Sequence, residues 1–196
     1  MSKLKKISVI ACFLLFECVT LAWAGEFSVF AAKNFKRETG SPVTVADTFT
    51  VRNPNTEFIL RVYNGGLENT ELELVSSSVI SLNGIEVLGP KNFNQTVRFI
   101  EIPVTLHSTN ILETEVRGKP GGSLTILIVG KDSVIPGIYN LSPVNDAKIE
   151  DRKSLIRASY TDQVSGVNVN SIHITLDGQD ITSQSTVTDS YFEYTP

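Results

Sequence analysis

An Asn-Gly dipeptide between two apolar runs is the feature that most constrains the fold of this chain. Asn83-Gly84 follows the apolar alternation of residues 79–82 and precedes that of residues 85–88. A type I′ turn needs a positive φ at both central residues, which Asn and Gly adopt more readily than other residues. The dipeptide therefore predicts a tight β-hairpin at the start of the stretch 79–130.

Three further strands are predicted in the same stretch. In the first strand, two sets of residues alternate. The set expected to face the core is Ile100, Ile102, Val104 and Leu106, and the set expected to face solvent is Glu101, Pro103, Thr105 and His107. A proline cannot donate to a ladder, so Pro103 indicates an edge strand or a bulge. Residues 112–117 alternate in the same way, and the apolar run 124–129 predicts a strand that is covered on both faces.

This stretch resembles a known family of modules. The segments SLNGIEVLG and VTLHSTNILETEVRGKPGGSLTILI are similar to the galactose-binding-like jelly roll that accompanies bacterial glycosidases and surface proteins. The family often has a Gly before the Asn of the second segment, where this chain has Thr109. The resemblance implies a β-sandwich of the jelly-roll kind and does not identify a ligand.

The N-terminus has the pattern of an export signal. Lys3, Lys5 and Lys6 precede a mostly apolar run over residues 7–21, and Ala22-Trp23-Ala24 fits a signal-peptidase site. We expect cleavage after Ala24 and a secreted or cell-surface protein with no membrane insertion after cleavage. The alternatives are a transmembrane anchor, although the run is short of the ~20 residues of a span, and a lipid anchor at Cys12.

Export and composition exclude several classes of function. Both cysteines, Cys12 and Cys18, lie in the signal segment, so the mature chain is expected to have no disulfide, thiolate metal site or cysteine nucleophile. Residues 1–24 hold three lysines and one glutamate of the chain's 17 basic and 21 acidic residues, which leaves residues 25–196 with a net charge of −6. An acidic chain without a basic cluster is not suited to nucleic-acid binding.

Short apolar alternations separated by Gly and Pro turns continue along the whole mature chain and predict an all-β protein. We expect four parts: a signal peptide at 1–24, a β-sandwich of the jelly-roll or Ig-like kind at 25–131, a linker at 132–142 around Pro136-Gly137, and an incomplete Ig-like sandwich at 143–196. Residues 155–160, 172–176 and 191–194 are the predicted strands of the last part, and Asp177-Gly178 is its predicted hairpin turn.

The last part resembles a second family. The segments SPVNDAKI and SYTDQVSGVNVNSIHITLDGQDIT are similar to bacterial Ig-like domains, which occur as tandem modules in large secreted or surface proteins. About seven strands and about 100 residues make a complete domain of this kind. We therefore expect a fragment of a longer array, with an open edge and a partly exposed apolar face.

Aromatic residues near turns are the candidates for ligand binding, because a sugar ring packs on an aromatic face while polar loop groups orient it. The candidates are Phe35, Arg37, Tyr63, Asn64 and Phe93. The alternative for Phe35 and Phe93 is that they close the ends of the sandwich core. Calcium is the one cofactor that the sequence suggests, with Asp162, Asn168 and Asp177 as oxygen ligands around a Ser-Gly loop. The alternative is that these residues form ordinary turns.

No Ser-His-Asp arrangement, metalloprotease motif or phosphate-binding loop is present in the sequence, so we do not expect an enzyme. The favoured function is a non-catalytic secreted or cell-surface module that binds a carbohydrate or a protein in adhesion. The alternative is a pair of purely structural spacer domains at the head of a larger surface protein.

Overall fold

The computed structural model describes residues 25–67, 72–151 and 153–196. Within these residues the protein is all-β, as predicted, with fourteen strands and three short 3₁₀ helices. The predicted signal segment, with Cys12 and Cys18, lies outside the described residues. Two compact units are present, one ending at Ser133 and the other beginning at Val134. They are called the N-terminal unit and the C-terminal unit below.

The N-terminal unit contains eight strands in two antiparallel sheets. They are β1 (Gly25–Lys36), β2 (Thr44–Thr50), β3 (Phe58–Asn64), β4 (Ser77–Leu82), β5 (Ile85–Leu88), β6 (Phe99–Val104), β7 (Thr109–Arg117) and β8 (Ser123–Asp132). Sheet A has the order β1-β8-β3-β6, and sheet B has the order β2-β7-β4-β5. This strand order is that of an eight-stranded jelly roll.

A single hydrophobic core holds the two sheets face to face. Its buried residues come from both sheets and include Leu60, Ile126 and Ile128 of sheet A and Ile80 and Leu112 of sheet B. Each of these five side chains is fully buried, and burial of one such side chain contributes about 1.5–3 kcal/mol. The N-terminal unit is therefore a β-sandwich, which confirms the predicted fold class.

Local sequence signals account for several details of the sandwich. Asn83 and Gly84 have φ values of 54° and 78°, as the predicted turn between β4 and β5 requires. Strand β6, which contains Pro103, is at the edge of sheet A as predicted. Strand β1 departs from simple alternation, because two register shifts against β8 flank Phe30 and turn its ring into the core.

The C-terminal unit is built on a second four-stranded sheet. Its strands are β9 (Gly137–Ser142), β10 (Ile156–Thr161), β11 (Thr175–Leu176), β12 (Gln179–Asp180), β13 (Thr186–Val187) and β14 (Tyr191–Tyr194). Sheet C has the order β13-β14-β10-β9, and β11 pairs with β12 alone. The buried residues of this unit form a small core, Ile156, Ala158, Tyr160, Ile174, Ile181 and Phe192.

Two sequence expectations about this region need correction. The segment 132–142 is not a bare linker, because Asp132 ends β8 and Gly137–Ser142 is strand β9, paired with β10. Residues 172–176 alternate between partly or fully buried and exposed as predicted, but only Thr175–Leu176 forms a ladder. The predicted turn Asp177-Gly178 is present, with φ values of 51° and 78°.

None of the helices among the described residues is long and apolar enough to cross a membrane. The three helices there are 3₁₀ turns of three residues each, Pro90–Asn92, Val169–Ser171 and Thr182–Gln184.

Candidate functional site

The outer face of sheet A carries an unusual set of side chains for a solvent-facing sheet. Alternation sends Phe58, Leu60 and Val62 of β3 into the core, so Ile59, Arg61 and Tyr63 point outward. Directly opposite residues on neighbouring strands share a face. The sheet A face is therefore defined by Ile59, Arg61 and Tyr63 of β3, Phe99, Glu101 and Pro103 of β6, Leu127 and Val129 of β8, and Glu26 of β1.

An aromatic pair occupies one end of this face. Tyr63 and Phe99 are directly opposite in the β3–β6 ladder, and their ring centroids lie 5.0 Å apart at an interplanar angle of 48°. Phe99 is 47% exposed. A tilted pair at this distance is a favourable aromatic geometry, so the contact with Tyr63 holds the Phe99 ring while leaving apolar surface open to solvent.

An ion triad lies beside the aromatic pair. Arg61 donates from its two terminal nitrogens to the two carboxylate oxygens of Glu26, at 2.6 and 2.7 Å, and from Nε to Glu101 at 2.6 Å. The hydrogen bonds from Arg61 hold the pKa of Glu26 below its usual value, and those to Glu26 and Glu101 raise the pKa of Arg61. The triad joins β1, β3 and β6 and fixes two partly exposed carboxylates on the face.

An open depression of about 710 Å³ borders the opposite end of the same face. Its lining consists of the segment 54–59, Glu101, the segment 103–105 and Lys131. Lys131 and Glu57 form an ion pair of 3.5 Å at its rim. The sheet A face thus runs from an aromatic pair, over a fixed set of carboxylates, to a shallow cleft with polar and apolar walls.

The structure separates the five residues proposed from sequence as ligand-binding. Phe35 and Phe93 are 4% exposed and belong to the core of the N-terminal unit, so neither presents a ring face to solvent. Both residues therefore occupy core positions, as the alternative interpretation of the sequence predicted. Their rings are hydrophobic contacts of the sandwich and cannot serve as a sugar platform without opening it.

Arg37 and Asn64 are buried as well and bind main-chain groups. Arg37 donates to the carbonyl oxygens of Glu38 and Gly40 and so braces the loop after β1. Asn64 donates from Nδ2 to the carbonyls of Val75 and Val97, each at 2.9 Å. Its Oδ1 accepts from the amide of Val75 at 2.7 Å. Both polar side chains therefore have structural partners.

Tyr63 is the one residue of that set on the sheet A face. Its ring partner Phe99 and the charged Arg61 and Glu101 were not among the sequence candidates. The signal for Phe99 was present, because an inward Ile100 and Ile102 require an outward Phe99 and Glu101. The pairing of β3 with β6, which assembles the site, has no local signal in the sequence.

The three calcium candidates lie in separate turns of the C-terminal unit. Asp162 accepts from the amides of Val164 and Ser165 at 2.8 and 3.0 Å. Asn168 caps a 3₁₀ helix by accepting from the amide of Asn170. Asp177 is exposed at the β11–β12 turn. Among the described residues, no group of three or more His, Cys, Asp or Glu side chains is placed to hold a metal ion.

The arrangement on the sheet A face is suited to binding. The exposed part of Phe99 offers apolar contact, and the carboxylates of Glu26 and Glu101 offer acceptors to hydroxyl or amide donors. The chain matches no protein-family model, and no curated protein matches it significantly.

Proposed function

We propose that this chain is an exported, non-catalytic binding module whose N-terminal unit binds a glycan on the sheet A face. The exposed Phe99 ring, held by Tyr63 beside the Arg61 triad, is the observation that carries the proposal. A sugar presents an apolar C–H surface and a rim of hydroxyl groups. The first fits an aromatic ring, and the second fits fixed carboxylate acceptors.

The rigidity of the face supports this proposal. All of its residues are on strands, and Arg61 is held by three hydrogen bonds to carboxylates. A site of this kind binds without first ordering its own side chains, which reduces the entropic cost of association. A loop site would not have this advantage.

The kinship of both units with these module families is part of the proposal and rests on the resemblances drawn from sequence. The strand order of sheets A and B supports a jelly-roll relative of the galactose-binding-like modules. The order β13-β14-β10-β9 matches the D-E-B-A order of one sheet of an immunoglobulin domain, which supports the Ig-like reading of the C-terminal unit. The proposed location, in the medium or on the cell surface, rests on the export signal that the sequence predicts for residues 1–24.

Screening of the chain on a glycan array, followed by titration of each hit, tests the proposal. We expect Phe99→Ala to weaken binding about tenfold or more, as the loss of a central aromatic anchor does elsewhere. The matched control is Ile111→Ala, which removes an equally exposed apolar side chain (46% against 47%) on β7 of sheet B. Equal effects of the two substitutions would contradict the proposal.

A purely structural spacer is the alternative function. This alternative predicts that the chain is folded and binds no glycan. Circular dichroism of the sample used on the array therefore has to show that the chain is folded. A folded sample without any hit on the array would favour the spacer. Capture of a defined surface protein that depends on Phe99 would instead assign a protein ligand to the same face.

A further inference from the structure

The charged side chains of the sheet A face and of the depression at its end leave an excess of negative charge. Three carboxylates, Glu26, Glu57 and Glu101, stand against two cations, Arg61 and Lys131, which gives a net charge of −1. Both cations are paired with these carboxylates, Arg61 at 2.6 Å and Lys131 at 3.5 Å. Among the described residues of this surface, a bound ligand therefore meets no cation without a carboxylate partner.

Arg98 is the cation next to Phe99 in the sequence, and it belongs to the other side of the strand. The amide of Asn64 donates to the carbonyl of Arg98 at 2.8 Å, which continues the β3–β6 ladder by one pair. Opposite residues share a face, and the side chain of Asn64 is buried on the inner side of sheet A. The side chain of Arg98 therefore leaves the strand on the inner side, whereas Phe99 and Glu101 leave it on the outer side.

Glu101 lies where a ligand would contact both parts of this surface. It is two residues from Phe99 on β6 and so points to the same side, and it also lines the depression. Its side chain is 42% exposed. Arg61 donates to its Oε2, while no described residue donates to its Oε1. Glu26 alone balances the charge of Arg61, so Glu101 supplies the excess negative charge and an open acceptor.

We infer that the sheet A face selects uncharged glycans over acidic glycans and that Glu101 is the residue that sets this specificity. The inference rests on the glycan binding proposed above. A sugar hydroxyl can donate to Oε1 of Glu101, whereas an ionised carboxylate or sulfate group on a sugar only accepts hydrogen bonds. An acidic glycan therefore sets an acceptor against an acceptor and a negative charge against a negative charge. Such a repulsive contact with the wrong ligand is a general source of specificity.

Pairs of glycans that differ in one acidic group test this specificity. For each array hit that Phe99→Ala weakens, the uncharged form and the form with one carboxylate or sulfate are titrated at low salt. We expect the native chain to bind the uncharged form about fivefold or more tightly, as repulsion between two close charges in water predicts. Glu101→Gln keeps an acceptor for Arg61 and removes the charge, so it should reduce this ratio to about twofold or less.

A matched control and a change of salt separate the charge of Glu101 from other effects. Glu113→Gln removes the same charge from β7 of sheet B and should leave the ratio of the native chain unchanged. Salt screens interactions between exposed charges. The ratio of the native chain should therefore fall as the salt concentration rises, and that of Glu101→Gln should stay the same. Retained binding of the uncharged form shows that the Glu101→Gln variant is folded.

Two results would overturn this specificity and leave glycan binding in place. One is equal or tighter binding of the acidic form by the native chain, and the other is a ratio that Glu101→Gln does not change. Both are distinct from a failure of the proposed function, because the glycans are chosen by their dependence on Phe99. An array without any hit that depends on Phe99 would contradict the proposed function itself, and this specificity with it.

Discussion

The carboxylate of Glu26 on β1 accepts two hydrogen bonds from Arg61 on β3, although β8 lies between these strands in sheet A. The guanidinium and the carboxylate therefore span the outer side of β8. Val129 lies on the same face and is only 6% exposed. The ion pair thus joins β1 to β3 across β8 on the face where Val129 lies, and it fixes the middle of the proposed binding face.

The Glu26–Arg61 pair makes the stability of the N-terminal unit depend on pH in the acid range. The lowered pKa of Glu26 contributes stability that is present above its usual value of 4.5 and is lost as the pH falls through the lowered value. Both side chains are partly exposed, so we expect less than about 1 kcal/mol. The protection of β8 amides from hydrogen exchange should fall less between pH 7 and pH 3 in Glu26→Gln than in the native chain. Glu57→Gln replaces a carboxylate that is 80% exposed, and in this variant the protection should fall as much as in the native chain.

Gly130 on β8 is required for space. A Cβ there would lie 2.5 Å from Cζ of Phe27 and 3.1 Å from Phe58. Gly130→Ala should lower the free energy of unfolding by about 1–3 kcal/mol, the usual cost of overpacking. In Gly137→Ala the new methyl group would have no atom within 4 Å, so urea unfolding of that variant should match the native chain within about 0.5 kcal/mol.

Asn64 holds the end of β3 to two neighbouring segments through its buried amide. Asn64→Asp keeps the shape but removes the Nδ2 donor that serves Val75 and Val97. We expect a loss of about 2 kcal/mol or more at pH 7, because a buried carboxylate would face carbonyl oxygens. Asn34 on β1 is exposed, and its Nδ2 donates one hydrogen bond of 3.2 Å, to Thr125. Asn34→Asp should therefore cost less than half as much in thermal unfolding.

Tyr160 ties β10 to the segment before β14 in the C-terminal unit. Its hydroxyl lies 2.7 Å from the carbonyl of Thr188 and 2.9 Å from that of Tyr191, and burial raises its pKa above 10.0. The hydroxyl therefore contributes stability that is fully present below pH 10 and is lost as the pH rises through the raised pKa. Tyr160→Phe should lower the free energy of unfolding by about 1 kcal/mol at pH 7. The protection of β10 amides from hydrogen exchange should also fall less at alkaline pH in this variant than in the native chain. Tyr139→Phe, at an exposed tyrosine, should change neither.

The sequence predicted those features that depend on neighbouring residues. The turns at Asn83-Gly84 and Asp177-Gly178 follow from the positive φ that these residues accept, and the edge position of β6 follows from Pro103. Pairings over long separations were not predicted. Arg61 meets Glu26 and Glu101 across 35 and 40 residues, and no local pattern encodes such a contact.

Errors arose where a local signal had two physical readings. Pro136-Gly137 was interpreted as part of a linker, whereas Pro136 precedes β9 and Gly137 begins it. Phe35 and Phe93 had two interpretations, ligand-binding residues beside turns or residues that close the sandwich core, and they fill the core. The exposed ring, Phe99, lies at the start of a strand, where the two-residue alternation decides its direction and the nearby turn does not.

A titration of the isotope-labelled chain with a glycan from the array, followed by nuclear magnetic resonance, tests the proposed binding face most directly. We predict that the amide resonances of Tyr63, Phe99 and Glu101 shift with the ligand concentration, while those of Ile111 and its neighbours on sheet B stay in place. Shifts confined to sheet B or to the loop at residues 38–42, with Phe99 unchanged, would contradict glycan binding on the outer face of sheet A.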